Sequence, residues 1–168
     1  YGAEILYRPF ESSWALGAEV YNVKQRAFDM RFDFRDYETV TGFVNFYYKE
    51  PRTNIIASLK MGRFLAEDSG FNLDLARRFE SGLRLGVFFA RTDISEIEFG
   101  EGSFDKGFYF QMPVNMFFGR HSKGIFGTGL RPLTRDGAAF LENDYSLFGV
   151  TEQGQGLNIR RDWDDLYQ

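Results

Sequence analysis

Asp29 and Asp33 share one face of an alternating stretch, and a pair of carboxylates is what glycosidic hydrolysis requires. Arg31 and Arg35 interleave with them on that face. The four charges alternate in sign and read more plainly as an ion-paired wall than as an acid/base pair. The chain has 1 His, His121, and 0 Cys. A zinc site needs several N or S ligands, and a Ser-His-Asp arrangement would have to use His121 without a nucleophile-elbow motif. His121 therefore reads as a solvated turn residue. Glu96, Glu98, Glu101 and Asp105 could gather a calcium ion, but their spacing is not that of an EF-hand loop, and they read as an acidic connection. Thr134-Arg135-Asp136-Gly137 is a turn by composition. The residues thus point to no catalytic centre, metal or cofactor, and the expectation is a non-enzyme. Inward aromatics Tyr21, Tyr47 and Tyr109 could stack on sugar rings, or simply fill a narrow interior.

The elements that must position these groups are strands. From Asn54 to Asp93 the chain reads as a three-stranded meander. Ile55, Ala57, Leu59 and Met61 alternate with Ile56, Ser58, Lys60 and Gly62. Phe71, Leu73 and Leu75 alternate with Asn72, Asp74 and Ala76, and Leu83, Leu85, Val87 and Phe89 with Arg84, Gly86, Phe88 and Ala90. Period-two alternation gives each strand an apolar face and a polar or small one. Glu67-Asp68-Ser69-Gly70 and Glu80-Ser81-Gly82 are hairpin turns. Each strand has roughly nine to eleven residues, enough to cross a bilayer when tilted. Arg63, Arg77 and Arg91 interrupt the apolar face only near strand ends, where a long side chain can snorkel to the headgroups.

Further strands are expected over residues 3–8, 14–23, 27–35, 42–49, 104–114 and about 125–133, with 141–150 as one more. Together these predict an all-β, antiparallel, up-and-down transmembrane barrel of about eight to ten strands over residues 1–150, followed by a polar tail, 151–168. Its lumen would be lined by Asp29, Arg31, Asp33, Arg35, Asn45, Tyr47, Lys60, Asp74, Arg78, Arg84, Tyr109 and Gln111. The connections 36–41, 67–70 and 93–103 would share one rim, on balance longer and more acidic than 50–53, 80–82 and 119–124 on the other. A water-soluble barrel or sandwich holding a carbohydrate or lipid inside would show the same alternation.

Composition agrees with strands. Aromatics make up 18% of the 168 residues, with 20 Phe, 9 Tyr and 2 Trp, a content that suits β structure and interfacial girdles. No apolar run approaches the length of a membrane-crossing helix, which excludes a helical membrane protein but not a barrel. A net charge of −4 argues against a nucleic-acid partner. The chain opens at Tyr1 without an initiator Met, signal peptide or lipid-attachment Cys, and reads as a fragment or a trimmed mature chain.

The stretches FDFRDYETVTG, GRFLAEDSGFNLDLARRFESGLRLGVFFARTDISEIEFGEGSFDKGFYFQMPV and LRPLTRDG, from about Phe32 to Gly137, resemble the YjbH family of exopolysaccharide-biosynthesis outer-membrane proteins. The resemblance implies a bacterial outer-membrane β-barrel, usually a lipoprotein, working in export or assembly of an extracellular polysaccharide or capsule. It implies that this chain is the C-terminal part of a longer protein, and it brings no catalytic motif onto these residues. The partners it implies are outer-membrane lipid, extracellular polysaccharide and other envelope proteins of an exopolysaccharide operon.

Overall fold

The computed structural model describes residues 1–26, 34–93, 104–114, 124–131, 137–141, 143 and 145–154. Eight strands follow one another: β1 (Gly2–Tyr7), β2 (Trp14–Arg26), β3 (Phe34–Glu50), β4 (Ile55–Arg63), β5 (Ser69–Arg78), β6 (Arg84–Thr92), β7 (Phe104–Pro113) and β8 (Ile125–Leu130). Each pairs antiparallel with its sequence neighbour, so the sheet order is β1-β2-β3-β4-β5-β6-β7-β8. A short helix, α1 (Leu147–Gln153), follows. The architecture is an all-β meander. Among the described residues β1 and β8 are its two edges and do not pair with each other, so the expected closure into a barrel is not present in this sheet.

Local chemistry accounts for the hairpins. At the β3–β4 turn the Glu50 carboxylate accepts hydrogen bonds from Arg52 N, Thr53 N and Thr53 Oγ1, and Asn54 takes a positive φ of 55°. Asn tolerates that left-handed conformation better than most residues. At the β5–β6 turn Gly82 has φ 87°, with Gly82 N donating to Phe79 O and Phe79 N to Leu83 O.

The register sorts the side chains cleanly. Leu16, Phe46, Leu59, Leu73 and Phe89 stand opposite one another in successive pairs, and Ala18, Val44, Met61 and Phe71 form the next row. This face is apolar and exposed: Val44 is 53%, Val87 52% and Phe108 53% accessible. Tyr7, Trp14 and Tyr48 cluster near one end of it, with the Tyr7 and Trp14 rings 6.1 Å apart. The opposite face carries Glu19, Asn45, Lys60, Asn72, Asp74 and Arg84, and is covered in part by Ala138, Phe140 and Phe148. The buried apolar clusters lie there: Phe43, Phe64, Ala90 and Ala138 with Phe140 packed on them, and Ala15, Ile56 and Phe148 with Leu6 and Tyr47. A water-soluble sheet buries its apolar face and exposes its polar one. Here the polarity is reversed.

Two sequence expectations are corrected. Residues 36–41 are not a rim connection but part of β3, a single strand that begins at Phe34 and pairs directly with β2. Of the strand expected over residues 27–35, residues 27–33 lie outside the described residues, and Phe34 and Arg35 open β3. The polar composition of DYETVT suggested a turn, but Thr39, Val40 and Thr41 are β-branched and favour the pleat, and Thr39 and Thr41 are buried. The strand expected over 141–150 gives way from Leu147 onward to helix α1. Ser146 caps α1, its Oγ accepting from Gly149 N, and the Glu4 carboxylate accepts from Leu147 N. A short apolar run such as LFGV does not by itself separate strand from helix, and the preceding serine decides it.

Candidate functional site

The polar face carries a cavity of about 620 Å³ whose walls come from β2 to β8 and from Phe140, Leu141, Asn143 and Ser146. That volume lies within the range of small-molecule sites. The expected lumen residues fall as follows. Asn45 pairs with Lys60, Tyr47 with Ser58 and through it with Asp74, Arg84 with Arg78 and with Gln111, and Tyr109 with Gly86. Directly opposed residues share a face, so these eight stand on one side of the sheet, and all of them except Arg78 line the cavity. Asp29, Arg31 and Asp33 lie outside the described residues, as does the side chain of Arg35. His121, Glu96, Glu98 and Glu101 are likewise outside them.

Among the described residues, three charge pairs lie at the cavity. Lys60 Nζ donates to Glu19 Oε1 and is held over the rings of Phe43 and Phe140, at 4.9 and 4.6 Å from their centroids. Arg84 pairs with Asp74 at 3.4 Å, and the Tyr109 hydroxyl donates to the same Asp74 oxygen at 3.0 Å. Arg131 pairs with the buried Asp105 at 2.8 Å and lies over the Phe88 ring. Gly86 makes the Tyr109 arrangement possible: a Cβ on Gly86 would stand 2.3 Å from Tyr109 Cζ, so the ring occupies the space a side chain would need. Asn45 Oδ1 and Arg84 Nε are buried without a hydrogen-bond partner.

The chain's C-terminal part docks on the same face. Phe148 stacks on Tyr47 with centroids 4.0 Å apart and planes 4° from parallel. Glu152 binds Arg8 at 2.9 Å and Lys49 at 3.0 Å, Ala138 N donates to Asp68 Oδ2 at 2.8 Å, and Asn143 Nδ2 donates to the Tyr21 hydroxyl. Of the aromatics expected to face sugar rings, Tyr47 is therefore covered on one face and Tyr21 is tied to this segment. Sequence reasoning did not select Glu19, Asn72, Arg8, Lys49 or Glu152. Alternation already put Glu19 and Asn72 on the polar face, but no local pattern links Glu152 to Arg8 across most of the chain.

Each described carboxylate of the cavity wall is engaged by a cation, and among the described residues no group of three or more His, Cys, Asp and Glu side chains could hold a metal. What the arrangement offers is hydrogen bonding by fixed, paired charges along a groove.

Fold and site together define an all-β meander protein whose polar face carries the cavity and whose apolar face is bare. The chain belongs to the YjbH family: the family model described as exopolysaccharide biosynthesis protein YbjH matches residues 1–153. It is 36% identical over 163 residues to an uncharacterized lipoprotein YjbH of Escherichia coli (strain K12), covering 95% of this chain and 23% of that relative. No solved structure matches the chain.

Proposed function

We propose that this chain forms, or forms part of, a transmembrane β-barrel of the bacterial outer membrane that takes part in exporting or assembling an exopolysaccharide without covalent chemistry. The observation that carries this reading is the exposed apolar row Leu16–Phe46–Leu59–Leu73–Phe89, backed by a charged, cavity-bearing face. Alternation of apolar outside and polar inside is the signature of a membrane barrel, and aromatic girdles such as Tyr7, Trp14 and Tyr48 mark its interfaces. The family's description in exopolysaccharide biosynthesis and the lipoprotein relative support an envelope setting. Lipid would meet the apolar face, the polysaccharide the polar one, and other envelope proteins of the same operon the rims. No helix of the described residues is long and apolar enough to cross a membrane, so spanning would fall to the strands. Because Ala138, Phe140, Phe148 and Glu152 pack on the polar face, the interior is narrowed, and an assembly or gated role fits better than a permanently open pore.

The test is polysaccharide output in a producing bacterium whose own copy is replaced. Asp74→Ala combined with Tyr109→Ala is expected to lower released polysaccharide with the protein still found in the outer-membrane fraction. Unchanged release, or a protein found only in the periplasm, would contradict the proposal.

A further inference from the structure

We propose that the cavity beside Asp74, Arg84 and Tyr109 is a binding subsite for an uncharged stretch of saccharide and discriminates against polyanions. This inference rests on the polysaccharide role proposed above and adds the chemical class of the ligand. Among the described residues three cations face or border the cavity, Lys60, Arg84 and Arg131, and each is matched by a carboxylate: Glu19, Asp74 and Asp105. The carboxylates are well shielded, with side chains 7%, 21% and 2% exposed. A uronate or phosphate could take one of these cations only by leaving its partner uncompensated, and an uncompensated shielded charge is costly. A sugar hydroxyl both donates and accepts, so it can bridge guanidinium and carboxylate without separating them.

Recognition here is by edges rather than by stacking. Phe148 covers a face of Tyr47, and the Tyr109 ring lies against Gly86 with the Arg84 guanidinium 5.4 Å from its centroid. The Tyr109 hydroxyl, fixed by Asp74, remains as the aromatic's contribution.

The experiment is calorimetric titration of the purified protein in micelles of an amine-oxide detergent, chosen because it carries no sugar headgroup. The probes are neutral gluco-, galacto- and manno-oligosaccharides and the corresponding uronate oligomers. At least one neutral series is expected to bind, with its uronate counterpart at least about tenfold weaker. Asp74→Asn leaves Arg84 unpaired and is expected to narrow or invert that preference, with the gained uronate binding weakened by salt. Tyr109→Phe is expected to weaken neutral binding about three- to tenfold. Mobility of boiled and unboiled samples reports whether each variant is folded. Equal or tighter binding of uronates by the unaltered protein overturns the inference. So does a heat-modifiable protein that binds no probe, a result that leaves the membrane reading standing. Absence of any heat-modifiable species overturns the membrane reading itself, and the subsite falls with it.

Discussion

Phe46 and Ile55 are both 39% exposed on the apolar face, yet they stand at different heights along the strands. Phe46 occupies the middle row, between Leu16 and Leu59, whereas Ile55 opens β4 immediately after the Glu50–Asn54 turn. Replacing each by Arg separates lipid from water as the outer solvent. In a bilayer, Arg at mid-height costs about 2–4 kcal/mol, and near an interface about 0–1 kcal/mol, because the side chain reaches the headgroups. The expected gap between Phe46→Arg and Ile55→Arg is therefore about 2–3 kcal/mol. If this face met water, equal exposure would give costs of similar size, since substitutions on a solvated surface lie mostly within about 0.5 kcal/mol of neutral. The assay is urea unfolding of the protein reconstituted in short-chain phosphatidylcholine vesicles, followed by tryptophan fluorescence and by the folded fraction on unboiled gels. Similar costs at the two positions would refute the inference that this face lies in hydrocarbon.

The segment over the polar face makes its own predictions. Phe148→Ala removes the stack on Tyr47 and a buried ring, so about 3 kcal/mol of docking should be lost; hydrogen exchange should accelerate over residues 147–153 while β3 to β6 keep their protection. Glu152→Gln leaves Arg8 and Lys49 facing each other at a site where the Glu152 side chain is 3% exposed, and should loosen the same segment by about 3 kcal/mol, read by limited proteolysis. Gly86→Ala places a Cβ 2.3 Å from Tyr109 Cζ, which must displace the ring from Asp74; near-ultraviolet circular dichroism should change at a stability cost of about 1–3 kcal/mol. An unaltered tyrosine signal in that variant would contradict the described packing.

How far the sequence could be read depended on whether a feature was local. Alternation in Ile55–Met61, Phe71–Leu75 and Leu83–Phe89 is a period-two signal, and β4, β5 and β6 lie where it put them. In β7 the register sets Tyr109 opposite Gly86 and Gln111 opposite Arg84. DYETVT was misread because charged and hydroxyl residues resemble a turn, whereas Thr39 and Thr41 are buried inside β3 through tertiary packing that composition does not encode. The cover formed by Phe140, Phe148 and Glu152 was invisible for a different reason. Its partners, Lys60, Tyr47 and Arg8, are some 80 to 144 residues away in sequence, and no periodicity carries such pairings. The membrane reading rested in the sequence on a polarity pattern alone, because an alternating strand looks alike in lipid and in a sandwich until the exposed face is known.

The most direct test of the central claim is gel mobility of the purified protein, boiled and unboiled, after refolding with and without detergent micelles or lipid vesicles. A transmembrane β-barrel predicts a compact, heat-modifiable band that forms only when amphiphile is present. A folded, monomeric protein in plain buffer, with the same mobility in both samples whatever amphiphile is added, would contradict it and return the apolar face to water.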